Sequence, residues 1–155
     1  MKRILCFIAL FTAAVCGTSC ERNYGPAPTV ISTHLQVFSS GELAFEDYLV
    51  KWELEKQQDD TYTLYMNDTR FVEGMPMLDM EVRGMVNGAQ SEEGLGFSFK
   101  TQSIIPYYAG KEYDRYTLTG FSCSASNDGN DMEVTFTCAG YDVTYTQTLE
   151  HLLYE

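Results

Sequence analysis

The chain holds two histidines, His34 and His151, far apart in sequence. Neither has a second ligand at the short spacing that a zinc site needs, so surface or strand-end positions account for them better. A hydrolytic triad would need one of these histidines, and no Gly-x-Ser-x-Gly elbow occurs to present a serine nucleophile. The run Asn127-Asp128-Gly129-Asn130-Asp131 is rich in oxygen. It lacks the loop length and terminal Glu of an EF-hand, and Asp-Gly at its centre is turn chemistry. Glu46-Asp47 and Glu92-Glu93 are acidic pairs. Carboxylates do glycosidase work when held about 5–9 Å apart on facing surfaces; side by side in loops they read as solvated charge. These residue types predict no catalysis, no metal and no cofactor.

The apolar residues say more. Met66, Met75, Met77, Met80 and Met85 fall close together. Methionine is flexible and polarizable, so such a cluster either fills a core or lines a surface that accepts varied apolar shapes. Tyr107-Tyr108, between Pro106 and Gly110, reads as an aromatic loop. Such rings either grip a glycan or protein or fold back on the domain. Trp52, Phe97, Phe99 and Phe136 point inward by alternation, and they either fill the interior or line a cavity in it. The candidate ligand-binding set is Trp52, Met66, Met80, Phe97, Phe99, Tyr107 and Tyr108.

Strands must position these residues. From residue 31 onward apolar and polar types alternate with period two, which places one set on a core face and the other in solvent. Ile31 to Phe38 alternates, as does Tyr48 to Lys56 with Val50, Trp52 and Leu54 on one side. Thr61 to Asn67, Met77 to Val86, Leu95 to Ser103, Tyr113 to Ser124, Asp131 to Cys138 and Tyr141 to Leu149 continue the series. Turn clusters such as Val86-Asn87-Gly88 and Asp128-Gly129 separate them. A single helical turn fits only Glu42 to Tyr48 or Leu149 to Tyr154. Eight strands in series predict an all-β fold, an antiparallel up-and-down β-barrel, with a β-sandwich as the alternative. A two-residue turn at Asp128-Gly129 sets Cys123 opposite Val134 and Cys138 opposite Thr119. That register keeps the two sulfurs too far apart for a disulfide, whereas a loop centred nearer Asn130-Asp131 would bring them together.

The run Asp60-Thr61-Tyr62-Thr63-Leu64-Tyr65-Met66, followed by Met75-Pro76-Met77-Leu78-Asp79-Met80-Glu81-Val82, resembles the calycin-like domains of small lipoproteins from gut anaerobes. Thr117-Leu118-Thr119-Gly120 resembles a hairpin of the same family. Asp60 stands where that pattern has Gly. The resemblance spans about residues 31–150 and implies a lipocalin-like barrel without an assigned activity. The lipocalin entry motif Gly-x-Trp is absent, since Val50-Lys51 precede Trp52.

Residues 1–19 read as a signal peptide: Lys2-Arg3, then an apolar stretch from Ile4 to Val15 too short to span a bilayer, then small residues. Gly17-Thr18-Ser19-Cys20 resembles the lipobox of bacterial lipoproteins, which implies lipidation at Cys20. Ala14-Val15-Cys16 is a rival site, and an ordinary secretory peptide is the plainer alternative. Acyl chains contribute about 0.8 kcal/mol per buried CH₂, so two or three anchor a domain without a spanning helix. Residues 20–30, with Gly25, Pro26 and Pro28, read as a tether, and residues 31–155 as the β-domain. The expected address is the cell envelope, with the domain held to the outer membrane by lipid alone.

The formal charge is −12. Loss of the leader removes Lys2 and Arg3, leaving eight basic residues against 22 acidic ones. That balance repels phosphate backbones and anionic lipid surfaces, so nucleic acid is not an expected partner. The expected function is non-catalytic binding of a small apolar or amphipathic ligand. The alternative is an interaction module that contacts an envelope protein or glycan through its loops.

Overall fold

The computed structural model describes residues 29–71, 73–88 and 95–151. The leader, Cys20, most of the tether and Glu92-Glu93 lie outside the described residues. The described chain is all-β. Its strands are β1 (Thr29–Ser39), β2 (Glu42–Asp47), β3 (Trp52–Lys56), β4 (Tyr62–Thr69), β5 (Leu78–Met85) and β6 (Leu95–Ile104). They continue as β7 (Tyr107–Tyr108), β8 (Lys111–Glu112), β9 (Leu118–Ser126), β10 (Met132–Cys138) and β11 (Tyr141–His151).

Period-two patterning decides which face each strand buries. Leu35 and Val37 of β1 are buried, as are Met80 and Val82 of β5 and Val134 and Phe136 of β10. Their neighbours Asp79, Arg83 and Glu133 face solvent. Several expected elements differ: the expected aromatic loop at Tyr107-Tyr108 forms the short β7–β8 hairpin, and Leu149–His151 continues β11 rather than starting a helical turn. Glu42–Asp47 is a strand rather than a helical turn, because Ser40 and Gly41 both take positive φ and make a two-residue hairpin with Ser39 opposite Glu42. Asp114–Tyr116 is a 3-10 turn rather than the start of a long strand.

All strand pairs are antiparallel. One sheet runs β2-β1-β11-β10-β9-β6 and the other β3-β4-β5-β7-β8. The first and last described strands pair over their whole length, from Thr29 opposite His151 to Ser39 opposite Tyr141. Among the described residues neither sheet closes on itself, so the expected single closed ladder is replaced by two sheets packed over one core. The physical reason lies at the seams, where side chains stand in for a neighbouring strand. At one seam Asn87 Nδ2 donates to the Gly96 carbonyl (2.7 Å) and Asn87 Oδ1 accepts from Ser98 N–H (3.0 Å), beside a Gly88 N–H to Ser98 carbonyl bond. At the other, the Trp52 N–H at the head of β3 donates to the Tyr145 hydroxyl (3.1 Å) instead of to a strand carbonyl.

Rings from both sheets interlock in the core. Trp52 of the smaller sheet stacks on Tyr145 of the larger at 4.4 Å between centroids, and lies 6.2 Å from Phe136. Phe136 also contacts Phe71 and Phe121. Each large side chain fully buried in this way contributes about 1.5–3 kcal/mol.

Candidate functional site

Where β3 faces the larger sheet across the open seam, the structure leaves a half-open cleft of about 580 Å³. That volume lies within the range of small-molecule pockets. Trp52 and Leu54 of β3, Tyr62 of β4, Phe97 of β6, Met132 and Ile31 supply its apolar lining. Lys51, Glu53, Lys56 and Asp128 are its charged lining residues.

The cleft has a polar spine. The Tyr145 hydroxyl accepts from Trp52 N–H and donates to Gln147 Oε1 (3.1 Å), while Gln147 Nε2 donates to the Gly129 carbonyl (3.3 Å). Gln147 is buried yet lines the cleft. Burial pushes the Tyr145 hydroxyl pKa above its ordinary value. The Trp52 indole is satisfied separately: Nε1 donates to Thr69 Oγ1 (3.0 Å), and that hydroxyl donates to the Met66 carbonyl. Trp52 is therefore fixed at both its backbone and its ring, as a side chain that shapes a binding wall must be.

One end of the cleft is shut by the β9–β10 loop. Its ends are tied by Ser126 N–H to the Asp131 carbonyl (2.9 Å). Asp128 Oδ1 accepts from Ser126 Oγ and Asn130 N–H, and these bonds pull its carboxyl down to about 2. The oxygen-rich run is thus a self-satisfied turn. It lies directly on Gly96, where an added Cβ would stand 2.5 Å from Asn127 Cα. Glycine is required there by close approach of two backbones.

The expected ligand-binding residues separate into groups. Trp52 and Phe97 line the cleft. Met66 and Met80 are fully buried in the core, and Phe99 packs half-buried on Phe121 at 6.2 Å. Tyr107 and Tyr108 lie on the β7–β8 hairpin against β5, away from the cleft. Tyr107 donates to Glu112 (3.2 Å), and its ring carries the Arg83 guanidinium at 4.4 Å. Tyr108 packs on Tyr113. Tyr62, Gln147 and Gly96 line the cleft and Tyr145 backs it through Gln147; none of the four was expected as a site residue from sequence. Gln147 had a signal: it shares the inward parity of Val143 and Tyr145, so a polar residue occupies a core position.

The remaining candidates have structural roles. His34 stacks on Tyr48 at 4.2 Å and places Nε2 3.2 Å from Glu46. Among the described residues no group of three or more His, Cys, Asp or Glu side chains is placed to hold a metal ion. Cys123 and Cys138 are free, buried thiols, pushed up to about 12 and about 11 by burial. Cys123 pairs with Val134 as expected, and Cys138 with Leu118, one residue from the expected Thr119. No helix among the described residues is long and apolar enough to cross a membrane. Compared with protein-family models, curated proteins and solved structures, the chain matches none of them.

Proposed function

We propose that the chain is a non-catalytic, lipid-anchored binding protein of the cell envelope that takes a small amphipathic molecule into the cleft between its two sheets. One observation carries this reading: a cleft of ligand size opens at the seam, walled by Trp52, Tyr62 and Phe97 and backed by the Tyr145–Gln147 hydrogen bonds. The lining mixes these rings with Lys51, Glu53, Lys56, Asn127 and Asp128, which favours an amphipathic ligand over a wholly apolar one. In this reading the two sheets are a calycin-like up-and-down meander parted at its seams, and Cys20 carries the lipid. Trp52 is the sole tryptophan, so the protein contains its own reporter. Titrating the leaderless protein with anilinonaphthalene sulfonate and with medium-chain fatty acids is expected to shift or quench Trp52 emission saturably. Gln147→Met and Phe97→Ala should weaken the response. A flat Trp52 signal with every probe would refute the reading.

A second reading is an interaction module, favoured by the β2–β3 connection. Leu49 there is 92% exposed and Tyr48 59%. A tip so apolar and so bare is the kind of feature that partner surfaces cover. Leu49→Asp should abolish capture of an envelope protein if that reading holds, and should leave cleft binding intact.

A further inference from the structure

The outward face of the smaller sheet carries a second concavity, of about 570 Å³, lined by none of the residues of the cleft. Its lining side chains are of polar types, with their apolar stems and one ring also exposed: Gln57, Gln58 and Asp59 from the β3–β4 turn, Thr61, Thr63 and Tyr65 from β4 and its approach, and Glu81 and Arg83 from β5. The floor opens at Gly84. Tyr62 pairs with Met85 and Leu64 with Val82, so β5 spends one extra residue opposite Thr63. Gly84 sits in this bulge at φ +73°, and a Cβ there would meet nothing within 4 Å. A missing side chain on a rigid sheet thus makes the hollow, and bulges commonly re-aim neighbouring side chains beside sites.

The walls are held before any ligand arrives. Arg83 Nε donates to Glu81 Oε2 (2.6 Å), and the guanidinium rests over the Tyr107 ring at 4.4 Å. Asp59 Oδ1 accepts from both the N–H and the hydroxyl of Thr61 (3.1 and 2.7 Å), which fixes the turn. Tyr65 lies in register between Glu53 and Glu81, with a half-buried ring on the outer face. Fixed carboxylate and guanidinium groups, with the Gln57 and Gln58 amides beside them, around one aromatic ring suit a ligand dense in hydroxyls, with a C–H face to lay on the ring. An apolar ligand would leave these groups unpaired. An anionic ligand would meet Asp59 and Glu81 while the Arg83 charge is already matched by Glu81.

We propose that this groove is a second site, separate from the seam cleft, and that it binds a neutral oligosaccharide. The site does not depend on the cleft or on any ligand within it. The test uses the folded domain, ¹⁵N-labelled, titrated with maltohexaose, cellohexaose, xylohexaose and chitotetraose at millimolar concentration. At least one should move the amide signals of Tyr65, Arg83 and Gly84 while leaving those of Gln147 and Ala125 in place. Tyr65→Ala should weaken binding about tenfold, a loss of ~1.4 kcal/mol. Arg83→Gln should weaken it by a smaller factor. Gly84→Asn, which tolerates positive φ, should fill the hollow and block binding without unfolding the sheet. All three variants must keep the wild-type Trp52 emission spectrum and thermal melt, which separates lost binding from lost folding. The proposal is overturned if none of the four sugars moves these signals, if the shifts fall on the cleft instead, or if Tyr65→Ala and Gly84→Asn bind as wild type does.

Discussion

The Tyr145 hydroxyl replaces a strand at the seam, and Tyr145→Phe isolates that role. The ring and its 4.4 Å stack on Trp52 remain, and only the oxygen is lost. Two partners are then stranded in buried surroundings: the Trp52 N–H that donated to it, and the Gln147 Oε1 that accepted from it. A buried polar group left unpaired costs about 1–3 kcal/mol. Partial relief by reorientation of Gln147 brings the expected loss to about 2–4 kcal/mol. At roughly 4 °C per kcal/mol for a domain of this size, Tm should fall by roughly 8–16 °C. Urea melts followed by Trp52 emission give the free energy directly, since the reporter sits on the perturbed bond. Gln147→Met and the double variant complete a cycle whose coupling should be about 1–2 kcal/mol. A Tyr145→Phe variant within about 0.5 kcal/mol of wild type would mean the hydroxyl does not hold β3 to the larger sheet.

At the opposite seam, Asn87→Ala removes bonds of 2.7 and 3.0 Å to β6; it should cost about 1–3 kcal/mol and strip hydrogen-exchange protection from the Ser98 amide first. Gly96→Ala drives a Cβ to within 2.5 Å of Asn127 Cα. Overpacking of that kind costs about 1–3 kcal/mol, and the displaced β9–β10 loop should also blunt the Trp52 response to cleft ligands. The two buried thiols make an alkaline prediction. In the unfolded chain they release protons near pH 9, whereas folded Cys123 holds its proton to about 12 and Cys138 to about 11. Deprotonation therefore favours the unfolded state, so stability is fully present below pH 9 and falls as pH rises toward 12. The Cys123→Ala/Cys138→Ala variant should show a flatter profile between pH 9 and 11 in denaturant melts, and an equal slope would count against burial as the cause.

Alternation was enough to read eight of the strands and their inward faces, because burial of one face is the largest local force on a strand, but it missed β2 and the short β7 and β8. It was not enough to read where pairing slips. Three of the register shifts fall on interior glycines: Gly84 on β5, Gly96 on β6 and Gly120 on β9. The Gly120 shift moves Cys138 from opposite Thr119 to opposite Leu118. A glycine inside an alternating run is the mark of a bulge or of close backbone approach, so these slips had a signal. The cleft was harder to see. It depends on Tyr145 and Asn87 spending side-chain hydrogen bonds across seams, and long-range partners of that sort leave no local pattern. Gln147 was the exception, a polar residue on an apolar face.

The two seams differ in kind, and the difference locates the site. At the β5–β6 side, Asn87 presents both an amide donor and an amide acceptor to one strand edge, as a residue of a neighbouring strand would. A side chain that copies the backbone pattern closes the gap. At the β3 side, a single hydroxyl meets a single N–H, and Arg70 reaches Asp47 only at 3.8 Å. One-point contacts hold two sheets together without filling the space between them. The space remains as the cleft, bounded by a five-residue strand that carries Glu53 and Glu55 outward and so resists pairing with another chain. Extending β3 should therefore trade the cleft for a ladder. Replacing Lys51 and Glu53 with Thr and Val would strengthen strand propensity at that edge, raise stability and reduce ligand capacity together. A variant that gained stability and kept full Trp52 response would show that the opening does not depend on the short, charged edge.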